Sequence, residues 1–222
     1  PIQSHVLGLT KGFGVVRLTM SAKPTIQPKV KVPSPAPVVK WAGGKRRVLE
    51  HILNRVPRSI HTYYEPFFGG GAVFFALYNR GLIQRAVVND LNADLIDLYE
   101  TIKSPAVTDL ITLLKTYPHS REFYDHVRKI PTRDIDSRVV RAARFVYLNR
   151  TCYNGLYRVN KKGEFNSPFG RYTNPTICDE GGLMRAHAAF QNVTFTCVDF
   201  AQAVRNASTG DFVYFDPPYL PI

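Results

Sequence analysis

Cysteine is scarce in this sequence, and the few cysteines present form no motif. Cys152, Cys178 and Cys197 are far apart, without a CxxC pair or a cluster of cysteines and histidines. This spacing supports neither a disulfide scaffold nor a zinc site, so we expect no bound metal and a reducing, cytoplasmic setting. Long apolar runs are also lacking. None is long enough to cross a bilayer, which predicts no membrane partner.

Acidic side chains are also few, compared with basic ones. The 222 residues include 29 Lys+Arg but 17 Asp+Glu, giving a formal net charge of +12. This imbalance favours a polyanionic partner such as nucleic acid, although charge alone is also compatible with an anionic membrane surface or with solubility. Apolar residues make up 45% of the chain, which is enough for a packed core. The length suits one α/β domain with a smaller inserted or appended domain.

The first 38 residues lack the periodic apolar pattern of a helix or a strand. Residues 1–19 show no signal-peptide pattern, and Met20 is a natural translation start, so we interpret residues 1–19 as an extension upstream of the native protein. Residues 23–38 are rich in proline and lysine. We therefore predict that residues 1–38 form a disordered, basic, proline-rich tail.

The single tryptophan, Trp41, stands before a Gly-Gly turn, Lys45 and a predicted helix that ends before Pro57. A phosphate-binding loop needs a glycine where Val39 stands and a serine or threonine where Arg46 stands, so we exclude a nucleoside triphosphatase. An aromatic ring and a lysine beside exposed helical N–H groups suit a ligand with a flat ring and a carboxylate.

A glycine-rich turn follows the first predicted strand, at Tyr63-Tyr64, and opens a helix. A second predicted strand, 86–88, leads into Asp90. This acid lies about 20 residues after the glycines, where such strand–turn–helix units hold the ribose of a nucleotide. Asp90 is equally suited to be the N-cap of a predicted helix at 93–102. Because the GxGxxG spacing is not met, an adenosine-containing cofactor other than NAD is favoured.

The apolar run 212–215 predicts a buried strand that ends in Asp216-Pro217-Pro218-Tyr219. Neither proline can donate a backbone N–H, so the strand must give way to a stiff loop. The carboxylate, the Pro217 carbonyl and the tyrosine ring could together hold a flat heterocycle that carries an amino group. A strand followed by an ordinary turn explains this tetrapeptide alone equally well.

Helical periodicity dominates the middle of the chain. The predicted helices cover residues 105–117, 123–128, 137–149 and 179–190. A strand is predicted after them, at 193–198. Residues 151–175 are instead rich in Tyr, Arg, Lys and Asn, with a predicted hairpin turn at 160–163. Cations interleaved with aromatic rings on turns are typical of segments that contact phosphates and stack on bases. The alternative is an irregular, solvated hairpin.

Several motifs, in a fixed order, resemble those of the Dam-type family of DNA adenine-N6 methyltransferases. They are Lys40-Trp41-Ala42-Gly43-Gly44-Lys45, Glu65-Pro66-Phe67-Phe68-Gly69-Gly70-Gly71, Asn89-Asp90, Asn149-Arg150 with Tyr153-Asn154-Gly155-Leu156, Phe165-Asn166 to Gly170-Arg171-Tyr172, and Asp216-Pro217-Pro218-Tyr219. The family order is cofactor motifs, then DNA-recognition segment, then catalytic motif, and this chain follows it from about residue 38.

The resemblance implies an α/β, Rossmann-like methyltransferase domain with a mostly helical and hairpin DNA-recognition insertion. Its cofactor part would span 39–104, the recognition domain 105–190 with its hairpin at 151–175, and the catalytic part 191–222. The resemblance also implies S-adenosylmethionine as cofactor and a flipped adenine in double-stranded DNA, often within GATC, as substrate. The implied setting is the cytoplasm of a bacterium or a phage-infected cell, in restriction–modification or another role, and we expect a monomer.

The resemblance also assigns roles to individual residues. The implied cofactor-binding residues are Trp41, Lys45, Glu65, Pro66, Phe67, Gly69, Gly71, Asp90 and Asp216. The implied DNA-binding residues are Lys40, Tyr153, Asn154, Leu156, Arg158 and Pro168. The implied catalytic residues are Asp216, Pro217, Pro218 and Tyr219.

The family pattern continues beyond its Asp-Pro-Pro-Tyr motif, whereas this sequence stops at Ile222. We therefore expect the C-terminal strands of the sheet to be missing, and residues 1–222 alone to be poorly soluble or weakly active. Two other functions stay open at this point. One is a non-catalytic DNA-binding protein, and the other is a methyltransferase that acts on amino groups of RNA or protein.

Overall fold

A four-stranded parallel sheet organises the chain. The computed structural model describes residues 33–43, 45 and 48–218. Its strands are β1 (Tyr63–Glu65), β2 (Ala86–Asn89), β3 (Val193–Thr196) and β4 (Phe212–Val213), in the order β3-β2-β1-β4. The pairs Tyr63 with Ala86 and Tyr63 with Phe212 set the register around the central strand β1. The predicted α/β class is confirmed.

Eight α-helices surround this sheet within the described residues. They are α1 (Leu49–Leu53), α2 (Ala72–Asn79), α3 (Ala93–Lys103), α4 (Val107–Thr116), α5 (Arg121–Lys129), α6 (Arg138–Thr151), α7 (Glu180–Phe190) and α8 (Phe200–Ala203). Single 3₁₀ turns occur at Thr132–Asp134 and Tyr153–Gly155. No helix among the described residues is long and apolar enough to cross a membrane.

Side-chain caps explain where five of these helices begin. Each cap accepts a hydrogen bond from a backbone N–H in the first turn of α3, α5, α6, α7 or α8, and the caps are Asn92, Ser120, Ser137, Asp179 and Asp199. The alternative sequence interpretation of Asp90 as the cap of α3 is therefore wrong. The Asn92 side chain performs that role, accepting from the Leu95 N–H at 3.1 Å.

The core is built largely from aromatic rings. Phe190 at the end of α7 is fully buried and has its ring within 6.5 Å of five others, measured between ring centroids. These rings belong to Phe68, Phe74, Phe75, Tyr99 and Phe195. Most of the pairs are T-shaped or tilted, the arrangement that aromatic quadrupoles favour. Phe190 thereby joins α7 to α2, α3 and β3.

The central helices are part of this core as well. Leu110 in α4 and Phe145 in α6 belong to the same buried cluster as the sheet residues. A second, smaller cluster joins α5 and α6 to the segment after them, through Tyr124, Tyr147 and Phe165. The predicted domain limits at 104 and 190 stay a prediction.

The N-terminal segment enters the core earlier than the sequence suggested. Residues 1–32 of the predicted tail lie outside the described part of the chain, and so does Tyr219. Of the rest of that tail, Val38 is buried together with Val39. The Arg150 guanidinium donates to the Val38 carbonyl at 2.7 Å, which holds this segment against the end of α6.

Strand β4 differs from its prediction. It was expected to be buried over 212–215, but it covers Phe212–Val213, and both residues are only half-buried. In the described sheet β4 pairs with β1 alone, so its other edge has no strand beside it. The Tyr214 N–H still bonds to the Tyr64 carbonyl at 2.9 Å, and Phe215 beyond it is half exposed. The two prolines that follow prevent further pairing.

The hairpin turn predicted at 160–163 is confirmed. The Gly163 N–H donates to the Asn160 carbonyl at 2.9 Å, and Val159 pairs with Phe165 in an antiparallel bridge. The Asn160 side chain also accepts from the N–H groups of Lys162 and Glu164 at 2.9 and 3.0 Å. This local bonding fixes the turn without a long strand ladder.

Replacing Phe190 with alanine is expected to lower the free energy of unfolding by about 3–5 kcal/mol, because it leaves a cavity where five rings meet. Urea denaturation followed by circular dichroism measures this change. Met184→Ala on the partly exposed face of the same helix is the control, with an expected change within about 0.5 kcal/mol. Equal losses in the two variants would contradict a core centred on Phe190.

Candidate active site

The strand order places one crevice at the carboxyl ends of the strands. The chain runs outward from β1 to β2 and β3 and then returns to the other side of β1 as β4. The order of the strands therefore reverses between β1 and β4. In open parallel sheets, ligands bind at such a reversal point, outside the carboxyl ends of the strands. Three predicted acidic residues, Glu65, Asp90 and Asp216, follow or end strands at this edge.

Glu65 ends β1 and is the most buried of these acids, with 3% of its surface exposed. The Tyr63 hydroxyl donates to its carboxylate at 2.8 Å. The pKa of Glu65 is raised from 4.5 to about 8, mainly by burial; the Tyr63 hydrogen bond opposes this rise, and the nearby Asp216 charge adds to it. Glu65 is therefore protonated at neutral pH in this form of the protein.

Asp216 lies beyond β4 and forms an ion pair with Lys45. The Lys45 Nζ is 2.6 Å from Asp216 Oδ2, and both side chains are mostly shielded from solvent. The same ammonium donates to the Gly43 carbonyl at 2.9 Å. The structure thus brings together two residues that the sequence placed at opposite ends of the folded part. Pro217 and Pro218 follow and are exposed.

Asp90 holds the glycine loop in place. One oxygen accepts from the Gly69 N–H at 2.9 Å, and the other accepts from the Asn92 N–H at the same distance. Burial raises the pKa of Asp90, and these two hydrogen bonds oppose that rise. The Tyr99 hydroxyl donates to the Gly69 carbonyl at 2.6 Å. The backbone on either side of Gly69 is therefore held from two elements, by Asp90 after β2 and by Tyr99 in α3.

Trp41 lies directly against this loop. Gly69 has a φ of +48°, and a Cβ there would lie 2.5 Å from Trp41 Cδ1, so glycine is needed for both backbone conformation and space. The indole also stacks on Tyr157 and Phe145, at centroid distances of 5.7 and 6.2 Å. Trp41 thus closes one side of the glycine loop and contacts the central helices on the other.

The remaining predicted cofactor residues lie in the same loop. Pro66 is buried, and its carbonyl accepts from the Asn89 side chain at 3.1 Å. Phe67 stacks on Phe200 at 5.6 Å, measured between ring centroids. Gly71 begins α2 with a φ of +69°. All these residues therefore follow β1 at the carboxyl edge of the sheet.

Asn89, at the end of β2, joins the loop after β1 to the loop after β3. Its amide NH₂ donates to the carbonyls of Pro66 and Val198, and its oxygen accepts from the Val198 N–H at 2.9 Å. Its motif position was noted in the sequence, but this role was missed. A buried amide at the end of a central strand needs partners for both its donors and its acceptor. This need is the feature of the sequence that could have predicted the role of Asn89.

Two exposed apolar side chains near Asp90 were also missed. Leu91 is 72% exposed and Phe200 is 46% exposed, although both are large and apolar. Phe200 begins α8, which packs against β2, and its ring is stacked on Phe67. Exposed apolar surface at the ligand-binding edge of a sheet is typical of sites that bind flat rings. Sequence alone cannot reveal exposure of this kind, because both residues match a core pattern.

The predicted DNA-binding residues form a second group. Asn149 at the end of α6 holds the Lys40 backbone from both sides, accepting from its N–H at 2.9 Å and donating to its carbonyl at 2.8 Å. A Cβ on Gly155 would lie 2.4 Å from Lys40 Cδ, which places Lys40 against the 3₁₀ turn that contains Tyr153 and Asn154. Lys40 is thus brought together with the recognition segment.

The side chains of this segment point largely into solvent. Tyr153, Leu156, Arg158 and Pro168 are exposed, and the Tyr153 N–H bonds to the Pro168 carbonyl at 2.8 Å. Asn154 has a φ of +54°, unusual for a residue other than glycine. The Arg158 Nε donates to Asn166 Oδ1 at 3.0 Å, which holds the guanidinium across the hairpin. The two predicted groups meet at Lys40-Trp41, which are adjacent in sequence.

All three cysteines are free thiols, and burial raises the pKa of Cys152 to about 11. Among the residues described, no group of three or more His, Cys, Asp or Glu side chains is arranged to hold a metal ion.

Comparisons with known proteins identify similar sequences. Residues 41–222 match the family model described as D12 class N6 adenine-specific DNA methyltransferase. The chain is 41% identical over 202 residues to the type II methyltransferase M.MjaIII of Methanocaldococcus jannaschii, covering 84% of this chain and 70% of that protein. It is 45% identical over 195 residues to the type II methyltransferase M1.LlaDCHI of Lactococcus lactis subsp. cremoris, covering 84% and 66%.

A third relative is the DNA adenine methylase of Escherichia coli (strain K12), 37% identical over 187 residues, covering 83% of this chain and 65% of that protein. The chain therefore spans about two thirds of the length of these curated relatives.

The raised pKa of Glu65 makes stability depend on pH. Between pH 4.5 and about 8 the unfolded chain releases this proton and the folded protein keeps it, so rising pH favours unfolding, by up to about 1.4 kcal/mol per pH unit. Glu65→Gln is expected to flatten this dependence in urea denaturation from pH 5 to 9. Glu122→Gln, at an exposed glutamate, is the control. An unchanged slope in the Glu65 variant would refute the assignment.

Proposed function

The chain belongs to the D12 class of N6 adenine-specific DNA methyltransferases, and on this basis we propose that it methylates N6 of a flipped adenine in double-stranded DNA within GATC, with S-adenosylmethionine as donor. The observation that carries the proposal is the position of Asp216-Pro217. This pair leaves β4 at the reversal point of the sheet, next to β1 and in contact with Lys45.

The residues at the carboxyl edge fit S-adenosylmethionine by their chemistry. The carboxylates of Asp90 and Asp216 suit a ligand with a ribose diol, an ammonium and a sulfonium, and the protonated Glu65 would line the same site as a neutral hydrogen-bonding group. Lys45 supplies a cation for the ligand's carboxylate, and the exposed side chains Leu91 and Phe200 supply apolar surface for its adenine ring. When bound, this cofactor supplies an electrophilic methyl group.

Asp90 would hold the ribose while it still fixes the loop. Each of its oxygens accepts one backbone N–H, which leaves a further lone pair on each for a hydroxyl donor. The Glu65 to Gly71 loop would lie beneath the ligand. Asp90 and Tyr99 hold the backbone at Gly69, which keeps the loop in this position. Phe67 and Pro66 complete the floor of this part of the site.

The Asp216-Pro217-Pro218-Tyr219 segment would orient the target base. An adenine must leave the base stack before its N6 can be reached. The Asp216 carboxylate and the Pro217 carbonyl would then accept the two N6 hydrogens, which turns the nitrogen lone pair towards the methyl group. The prolines keep this loop stiff, so little reorganisation is needed at the moment of transfer. Tyr219, outside the described residues, would stack on the base.

The exposed segment around the hairpin would contact the DNA. Tyr153, Leu156 and Arg158 present a ring, an apolar wedge and a guanidinium to solvent, a set suited to base contacts and insertion between bases. Lys40, Asn154 and Pro168 lie beside them. The net charge of +12 would add attraction to phosphates. We propose that the protein acts in the cytoplasm of a bacterium or a phage-infected cell, where such DNA is found.

Asp216→Asn is expected to lower the rate of labelled methyl transfer to a GATC duplex by at least about 100-fold, because it removes a charged acceptor at the amino group. DNA binding, measured by fluorescence anisotropy, should largely survive, as it should in Asp216→Ala. Asp211→Asn, at the other end of β4, is the control and should keep transfer in the folded protein. Equal transfer by wild type and Asp216→Ala would exclude the proposed chemistry.

Arg158→Ala is expected to reduce discrimination at one guanine position by about 1–3 kcal/mol, because a bidentate contact to the guanine edge is lost. The measurement is methyl transfer to duplexes in which GATC is varied one base at a time. Arg205→Ala removes the same charge from an exposed position after α8 and serves as the control. Uniformly weaker activity on all duplexes, with discrimination unchanged, would assign Arg158 to the phosphate backbone instead.

A further inference from the structure

Tyr157 is the residue that connects the two parts of the proposed site. Its ring stacks on Phe145 of α6 at a centroid distance of 4.7 Å and on Trp41 at 5.7 Å. A third ring, Phe165, meets it edge-on at 5.6 Å. Its hydroxyl donates to Asp94 Oδ2 at 2.9 Å. Burial and the Asp94 charge raise the pKa of Tyr157, so the hydroxyl stays a donor.

Two paths lead from Tyr157 to the glycine loop, one through side-chain contacts and one that also runs along the backbone from Asp94 to Asp90. The first passes through Trp41, whose indole already lies where a Cβ on Gly69 would be. The second passes through Asp94, in the first turn of α3, to Asp90 four residues before it, which accepts the Gly69 N–H at 2.9 Å. Both paths therefore end at Gly69, in the proposed cofactor pocket.

On its other side, Tyr157 is bonded to the DNA-binding segment. Arg158 is the next residue in the chain, and its guanidinium is held across the hairpin by Asn166 at 3.0 Å. The Asn166 N–H in turn donates to the Arg158 carbonyl at 2.9 Å. A shift of the Arg158 backbone on contact with DNA would therefore be passed to Tyr157, its neighbour in the chain.

We propose that Tyr157 is a positioning residue that couples DNA binding to cofactor binding. This inference rests on the proposed function. The Tyr157 ring is packed against the rings of Trp41, Phe145 and Phe165, and close-packed side chains transmit a displacement instead of absorbing it. A hairpin shifted by DNA therefore repositions Trp41 and Asp94, and through them Gly69. Thermodynamic linkage requires the effect to be reciprocal, so bound cofactor changes DNA affinity by the same factor.

The test is a linkage measurement on the full chain. The dissociation constant of S-adenosylhomocysteine is measured by calorimetry without DNA and with a saturating GATC duplex, since this product analogue carries no methyl group to transfer. In the wild type we expect the two constants to differ by about fivefold or more. In Tyr157→Leu, which loses the stacking and the hydroxyl, their ratio should fall to within about twofold of one. Tyr157→Phe should lie between.

The single tryptophan gives an independent readout. Because Trp41 is the only tryptophan in the chain, its emission reports on the indole beside Gly69 alone. Adding the duplex without cofactor should change this emission in the wild type and leave it unchanged in Tyr157→Leu. Tyr147→Phe removes a comparable hydroxyl, bonded to the Pro118 carbonyl and away from Trp41, and should keep the wild-type ratio.

A wild-type ratio in Tyr157→Leu, or a ratio of one in the wild type, would overturn the coupling. If Tyr157→Leu does not fold by circular dichroism, Tyr157→Phe and Asp94→Ala decide, and wild-type ratios in both would be equally contrary. A wild type that binds both ligands without transferring a methyl group contradicts the proposed function and leaves the coupling intact. If the wild type binds both ligands and transfers the methyl group, but neither ligand changes the affinity for the other, the coupling is contradicted and the proposed function stands.

Discussion

The backbone around Gly69 is the constraint on which the proposed site depends. Its N–H is held by Asp90 and its carbonyl by Tyr99, so the loop after the central strand is fixed to the next strand and to the helix that follows. Because Asp90 is bonded in this way, its position is set by the same contacts that shape the loop. The Trp41 indole then closes the remaining side, where any side chain on residue 69 would collide with it.

The order of the parallel strands gives Glu65 and Asp216 different surroundings. β1 is central, so Glu65 is buried and keeps its proton, whereas Asp216 follows the half-buried strand β4 and remains close enough to Lys45 for an ion pair. Two carboxyl groups that end or follow adjacent strands thus have different surroundings. In the proposed site the glutamate would contribute a neutral, hydrogen-bonded floor, and the aspartate would contribute an acceptor at the mouth of the crevice.

Much of this could be predicted from the sequence, because local patterns report local structure. The α/β class, the glycine turn and the hairpin turn at 160–163 all follow from residue spacing. The sequence could not show that Asn89 and Asn149 join segments far apart in the chain, since a polar residue carries no sign of its partner. Nor could it separate the exposed Leu91 and Phe200 from core residues, or show that Asn92 and not Asp90 caps α3.

The contact between Asn149 and the Lys40 backbone spans 109 residues of sequence. During translation, Lys40-Trp41 therefore leaves the ribosome long before its anchor has been made. At typical synthesis rates of about 5–20 residues per second, the wait is roughly 5–20 s, far longer than the formation of a helix or a hairpin. The glycine loop can form with β1, β2 and α3 in that time, but its Trp41 wall is completed only when α6 arrives. Assembly of the crevice is thus ordered in time, with the junction between cofactor and DNA segments among the later contacts.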